Sequence, residues 1–166
     1  MSSRTDSSPE AAPTWRGARG VGISQTVLVV SGSFGPALSA SDVGAALARG
    51  LRAGGALAAD VCPLPAAGAG EEHARALLDA LGLDGRMRSS RAVVVATRRL
   101  EERALAGSVT FEIATRARQG GVPAYAVTAG NALEPFDARI LDLQLVLQAG
   151  SLRALAAAGR KLAGIV

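Results

Sequence analysis

The chain has 166 residues, 49% of them hydrophobic, with 18 basic against 14 acidic side chains and a net charge of +4. That length supports one domain with an ordinary core. The single cysteine excludes an internal disulfide, the single histidine leaves little for histidine-built metal sites or triads, and no apolar run nears the roughly 20 residues of a membrane span.

Met1 to about Ser24 is rich in Ser, Pro, Gly and Arg without periodicity and reads as a disordered leader over 1–23, before a single domain at 24–166. No hydrophobic signal core is visible there, so a soluble, cytoplasmic protein is expected. Thr26–Ser31 (TVLVVS) is a continuous apolar run, the pattern of a strand covered on both faces. Val43, Ala46, Leu47, Gly50 and Leu51 then recur at helical spacing and predict a helix over 41–53, with Ser39 or Ser41 as its cap. Ser39 and Asp42 have the spacing of a capping box.

A short strand is expected over Ala58–Cys62, ended by Pro63 and Pro65, and a helix over Glu72–Leu81, closed by Gly82. Cys62 reads as a buried strand-end thiol and His73 as a solvated helix residue. Arg91–Thr97 is the third strand. A helix over Thr110–Arg118 ends at Gly120-Gly121, and Pro123 opens a fourth strand over Ala124–Thr128. Leu143–Leu147 fits a fifth strand, and Ser151 caps a last amphipathic helix reaching about Ala163. Such alternation predicts an α/β fold: three layers around a mainly parallel sheet, a Rossmann-like core with ligands bound at the C-terminal strand ends.

Three of these strand-end loops resemble, in order, those of the bacterial-type glycerate kinase family. The first reads SGSFGPALSA and is similar to the family's PDSFKGSLSA, keeping Ser33, Phe34, Leu38, Ser39 and Ala40 while Gly32 and Gly35 replace its aspartate and lysine. PAAGAGE, Pro65–Glu71, stands where the family has ADGGEGT, with Ala66 and Ala69 at acidic positions. VVATRRLEERALAGS, Val94–Ser108, resembles VITGEGRxD followed by a GK pair: Arg99 matches the arginine, Glu101 replaces the aspartate, and Thr97 and Ser108 stand for the glutamate and lysine. Ala114, Ala117, Gly121, Val122, Pro123 and Thr128-Ala129-Gly130 are spaced as in ARRAKxxGVPVxAIAG. The family's long central segment is missing after Gly70, as though its second lobe were deleted.

The resemblance implies a fold like the core lobe of glycerate kinases and, as lineage activity, ATP-dependent phosphorylation of glycerate with Mg²⁺. The missing charges imply little or no catalysis in this chain, with no catalytic or metal-ligating residue assigned. The residual ligand-binding set is Ser33, Ser39, Arg99, Glu101 and Gly130, facing a small anion such as glycerate or a phosphate group. The alternative is a non-catalytic anion-binding or partner-binding module that associates with itself or with a full-length relative. Nucleic acid is not an expected partner, because the arginines are scattered and stacking aromatics are nearly absent.

Overall fold

In the computed structural model the described residues are 26–55, 57–66, 68, 70–101 and 107–166. The expected leader and the positions Ala69, Glu102 and Arg103 lie outside them. In chain order the elements are β1 (Thr26–Ser31), α1 (Ala40–Gly55), β2 (Ala58–Pro63), α2 (Glu71–Ala80), α3 (Leu83–Arg88), β3 (Ala92–Glu101), α4 (Val109–Gln119), β4 (Ala124–Ala132), α5 (Pro135–Ile140), β5 (Leu143–Gln148) and α6 (Leu152–Ala163).

The five strands form one parallel sheet in the order β2-β1-β3-β4-β5. This is the doubly wound order of flavodoxin-like folds, whose ligand crevice lies at the C-terminal ends of β1 and β3. The three-layer α/β arrangement expected from the sequence is the one observed. β1 and β3 are interior strands, as their apolar runs require: Val27, Val29 and Val94 pack towards α1 and α6, while Leu28, Val30, Val93 and Val95 face the layer containing α2, α3 and α4.

The α1–α6 layer is held by close backbone approach. A Cβ placed on Gly50 would lie 2.1 Å from the Ala156 carbonyl oxygen, and one on Gly159 would lie 2.4 Å from that of Leu47. In the other layer Arg116, 12% exposed, holds the helices together: it donates to Glu112 at 2.9 Å and to Asp79 at 2.7 Å, and lies 3.2 Å from Asp84. Arg86 fastens α3 to the edge strand β2 through both Asp60 oxygens, at 2.6 and 2.8 Å, and through the Val61 carbonyl.

The structure adds to the sequence reading at three places. Gly82, in the left-handed region at φ 62°, breaks the helix after α2 and starts the separate six-residue α3. β3 and β4 run on to Glu101 and Ala132, so Arg99 pairs with Gly130 beyond the level at which β1 ends opposite Ala96. Finally, α5 occupies the connection between β4 and β5 and buries none of its residues.

Candidate functional site

The loop from β1 to α1 is where a ligand of this fold would sit, so the question is which of its donors are open. Few are. The Gly32 N–H donates to the Ala96 carbonyl at 2.8 Å and the Phe34 N–H to that of Leu38 at 2.9 Å. The Gly35 N–H donates to Ser33 Oγ at 3.1 Å, and the Ser33 hydroxyl in turn meets the Gly35 and Leu38 carbonyls. The N–H groups of Gly32, Phe34 and Gly35, which face the turn, thus already have partners within the fold.

Ser39 is occupied in the same way. Its hydroxyl donates to Asp42 Oδ2 at 2.6 Å and accepts from the Asp42 N–H at 3.2 Å, while its own N–H reaches the same carboxylate at 3.2 Å. This is the reciprocal capping box read from the sequence, and it satisfies the N–H groups of Ser39 and Asp42 without a ligand. Hydrogen bonds from Ser39 hold the Asp42 carboxyl below its ordinary range.

The structure brings the five predicted residues to one edge, since β1, β3 and β4 are parallel and each residue follows or extends a strand's C-terminal end. Arg99 and Gly130 are register partners, and Arg99 Nη2 lies 3.5 Å from Glu101 Oε2 with both side chains well exposed. The carboxylate that the resemblance offers to a metal is therefore paired with the arginine that it offers to a phosphate. The remaining strand-end hydroxyls also close locally: Thr97 on the Arg99 carbonyl, Thr128 on Gly130, and Ser108 as the cap of α4, accepting from the Phe111 N–H at 3.1 Å.

A nucleotide-bound Mg²⁺ wants one or two protein carboxylates as well as the phosphates. Of the five predicted residues at this edge Glu101 is the one carboxylate, Asp42 in the first turn of α1 is engaged with Ser39, and no group of three or more His, Cys, Asp or Glu side chains among the described residues could hold a metal ion. The predicted set thus offers such a metal one carboxylate, and that one is paired with Arg99. Cys62, on β2, is buried, and burial raises its thiol pKa, so it is not a poised nucleophile. His73 is exposed, its Nε2 accepting from the Gly68 N–H at 3.0 Å. Among the described residues no helix is long and apolar enough to cross a membrane.

What the sequence reading passed over is the segment from Glu134 to Asp142, where Phe136 is 71% and Ile140 46% exposed. Its signal was Pro135 at a helix start followed by two large apolar residues four apart.

No protein-family model matches the chain, and no curated protein matches it. Among solved structures it is similar to a Burkholderia pseudomallei K96243 protein described as pilus assembly-related, at a TM-score of 0.50 and 17% identity, over 84% of this chain and 89% of that one. It also matches a Salmonella typhimurium LT2 protein described as glycerate kinase 2, at a TM-score of 0.43 and 13% identity, over 64% of this chain but 27% of that one. The first likeness is one of fold.

Proposed function

We propose that the chain is a non-catalytic partner-binding module built on a doubly wound α/β fold. The observation behind this reading is the inward closure of the first strand-edge turn: the N–H groups of Gly32, Phe34, Gly35 and Ser39 have partners in the chain, and the Glu101 carboxylate lies beside Arg99. Phosphoryl transfer works almost entirely by positioning and electrostatic stabilisation, which need such groups open and charged. With lysine absent from positions 35 and 108, and the nearby carboxylates Glu101 and Asp42 engaged with Arg99 and Ser39, the edge retains little of that stabilisation. A glycerate kinase lineage is compatible with this outcome, as a core whose chemistry has been lost.

What the edge presents instead is the end of the β3–β4 ribbon, with Arg98 and Arg99 exposed, a surface suited to docking. We place the module in the cytoplasm as a component of a protein assembly. The test is incubation of the purified chain with ATP, Mg²⁺ and glycerate, following ADP release and phosphoglycerate. No turnover and no ligand-induced rise in melting temperature are expected. Robust metal-dependent phosphoglycerate formation, abolished by Arg99→Ala or Glu101→Ala, would overturn the proposal and restore a working, shortened glycerate kinase.

A further inference from the structure

The surface built by α5, β5 and α6 is the most distinctive part of the molecule that the strand-edge loops do not involve. The connection from β4 to β5 spans only Leu133–Asp142, which is short for a crossover between parallel strands. Its helix, α5, therefore covers little of the sheet and leaves Phe136 and Ile140 in solvent. Next to it β5, LQLVLQ, has no charged residue, and its Leu143, Leu145, Val146 and Leu147 are only half-buried. Edge strands in soluble proteins are normally guarded by charge or proline, and the opposite edge does carry Asp60 and Pro63. On the other side of β5 a groove of about 290 Å³ opens between β5 and α6, lined by Leu147, Ala154, Ala157, Ala158 and the Lys161 stem, and Leu152 at the start of α6 is 42% exposed.

Charge divides across the same surface. The α5 side carries Glu134, Asp137 and Asp142 against Arg139, whereas α6 carries Arg153, Arg160 and Lys161 with no acidic residue. Among the described residues none of these seven is in an ion pair. An acidic, apolar flank and a basic, grooved flank on either side of an uncharged strand are complementary to each other but cannot meet within one chain. They can meet between two.

We propose that this surface is the interface of a homodimer in which α5 of each copy packs against α6 of the other across the two β5 strands. The charge distribution also selects the symmetry. A two-fold axis normal to the sheet would set α6 cations against α6 cations; one running along β5 exchanges the faces, placing Glu134 and Asp137 of one copy by Arg153 and Lys161 of the other, and Phe136 at the Ala-lined groove. The contact is isologous, as closed dimers require, with an apolar centre and a charged rim. The inference stands whether or not the strand-edge loops bind anything.

Sedimentation equilibrium on the full chain tests it. The wild type is expected to be dimeric at micromolar concentration, with dissociation favoured by added salt. Phe136→Glu, at an exposed position, should shift the dissociation constant at least 100-fold with an unchanged circular dichroism spectrum. Asp137→Lys and Lys161→Glu should each weaken the dimer about tenfold, and an equimolar mixture of the two variants should regain dimer through the one interface where the reversed charges face each other. Paired cysteines, Phe136→Cys with Ala157→Cys, should crosslink between copies. A wild type monomeric to hundreds of micromolar, a dimer insensitive to Phe136→Glu, or efficient α6–α6 crosslinking by Ala157→Cys alone would each overturn the proposal. A monomer that dimerises only when residues 1–25 are removed would also overturn it, in favour of the N-terminal segment as occupant.

Discussion

Replacing Gly50 by alanine tests the packing that holds α1 to α6. In most helices this change stabilises by about 1 kcal/mol, because alanine loses less backbone entropy. Here the new Cβ would lie 2.1 Å from the Ala156 carbonyl oxygen and 2.9 Å from both the Ala156 carbonyl carbon and the Arg160 nitrogen. These are backbone atoms, so no rotamer can move aside, and a tolerable 3.0 Å contact needs the helices to part by about 0.9 Å. A gap of that size forfeits roughly a quarter to a half of each dispersion contact across the seam, where Leu47, Leu51, Leu155 and Leu162 are fully buried. Overpacking costs of about 1–3 kcal/mol apply, at their upper end because the obstacle is rigid. After the propensity gain the net loss is about 2 kcal/mol, a fall in Tm of about 4–8 °C for a domain of this size. The control is Gly85→Ala in α3, where an added Cβ meets nothing within 4 Å and the Tm should hold or rise. Thermal unfolding by circular dichroism reads both. A Gly50→Ala protein as stable as wild type would show that the two helices are not in backbone contact.

Ser108→Ala removes the α4 cap from Phe111 and should cost about 1 kcal/mol in urea unfolding, while Ser108→Asp should retain most of it. Asp60, whose carboxyl Arg86 holds below its ordinary value, makes a contribution that is complete above the unfolded pKa near 4 and lost as pH falls through the lower folded value. Asp60→Asn should therefore lower stability at neutral pH and flatten the acid limb of the stability profile below about pH 4, as measured by urea midpoints across pH. An acid limb as steep in the variant as in wild type would rule out the pair as its source.

The parts of the fold legible in the sequence are those where one physical requirement dominates. β1 and the start of β3 are interior parallel strands because only residues covered on both faces can be uninterruptedly apolar, and the spacing of Ser39 and Asp42 names a cap because few other arrangements use it. The continuations of β3 and β4 were hidden because Arg98 and Arg99 look like loop residues, yet in a projecting two-stranded ribbon both are exposed, Arg99 beside Glu101, while Leu100 between Arg99 and Glu101 is buried. Six-residue α3 and α5 are too short to express a period. The strand-end positions of Ser33, Arg99 and Gly130 were legible because each follows or extends an apolar strand run. Whether a glycine-rich turn holds an anion depends on where its N–H groups point, and here Gly32 points to Ala96 on a strand more than sixty positions later.

That loop also carries its own argument against revival of kinase chemistry. The resemblance places an aspartate at Gly32 and a lysine at Gly35, and the two positions are not equivalent. A Cβ on Gly32 would meet nothing closer than the Ala96 carbonyl oxygen at 3.5 Å, an ordinary contact, so Gly32→Asp should leave the Tm within about 1 °C of wild type. Gly35 has open space around it but sits at φ 126°, a conformation that L side chains rarely adopt and that the Ser33 hydroxyl, the Phe34 N–H and the Gly35–Leu38 bridge hold in place. Gly35→Lys must therefore strain the backbone or break the turn, at a cost of about 1–3 kcal/mol. Its Tm should fall by about 3–9 °C although no atom clashes. The double variant should remain without phosphoglycerate formation, because the lysine would enter a loop whose Gly32 and Phe34 N–H groups still face inward. A Gly35→Lys protein with wild-type stability would show that the turn is not fixed by its internal bonds; the closure on which the non-catalytic reading rests would then fail with it.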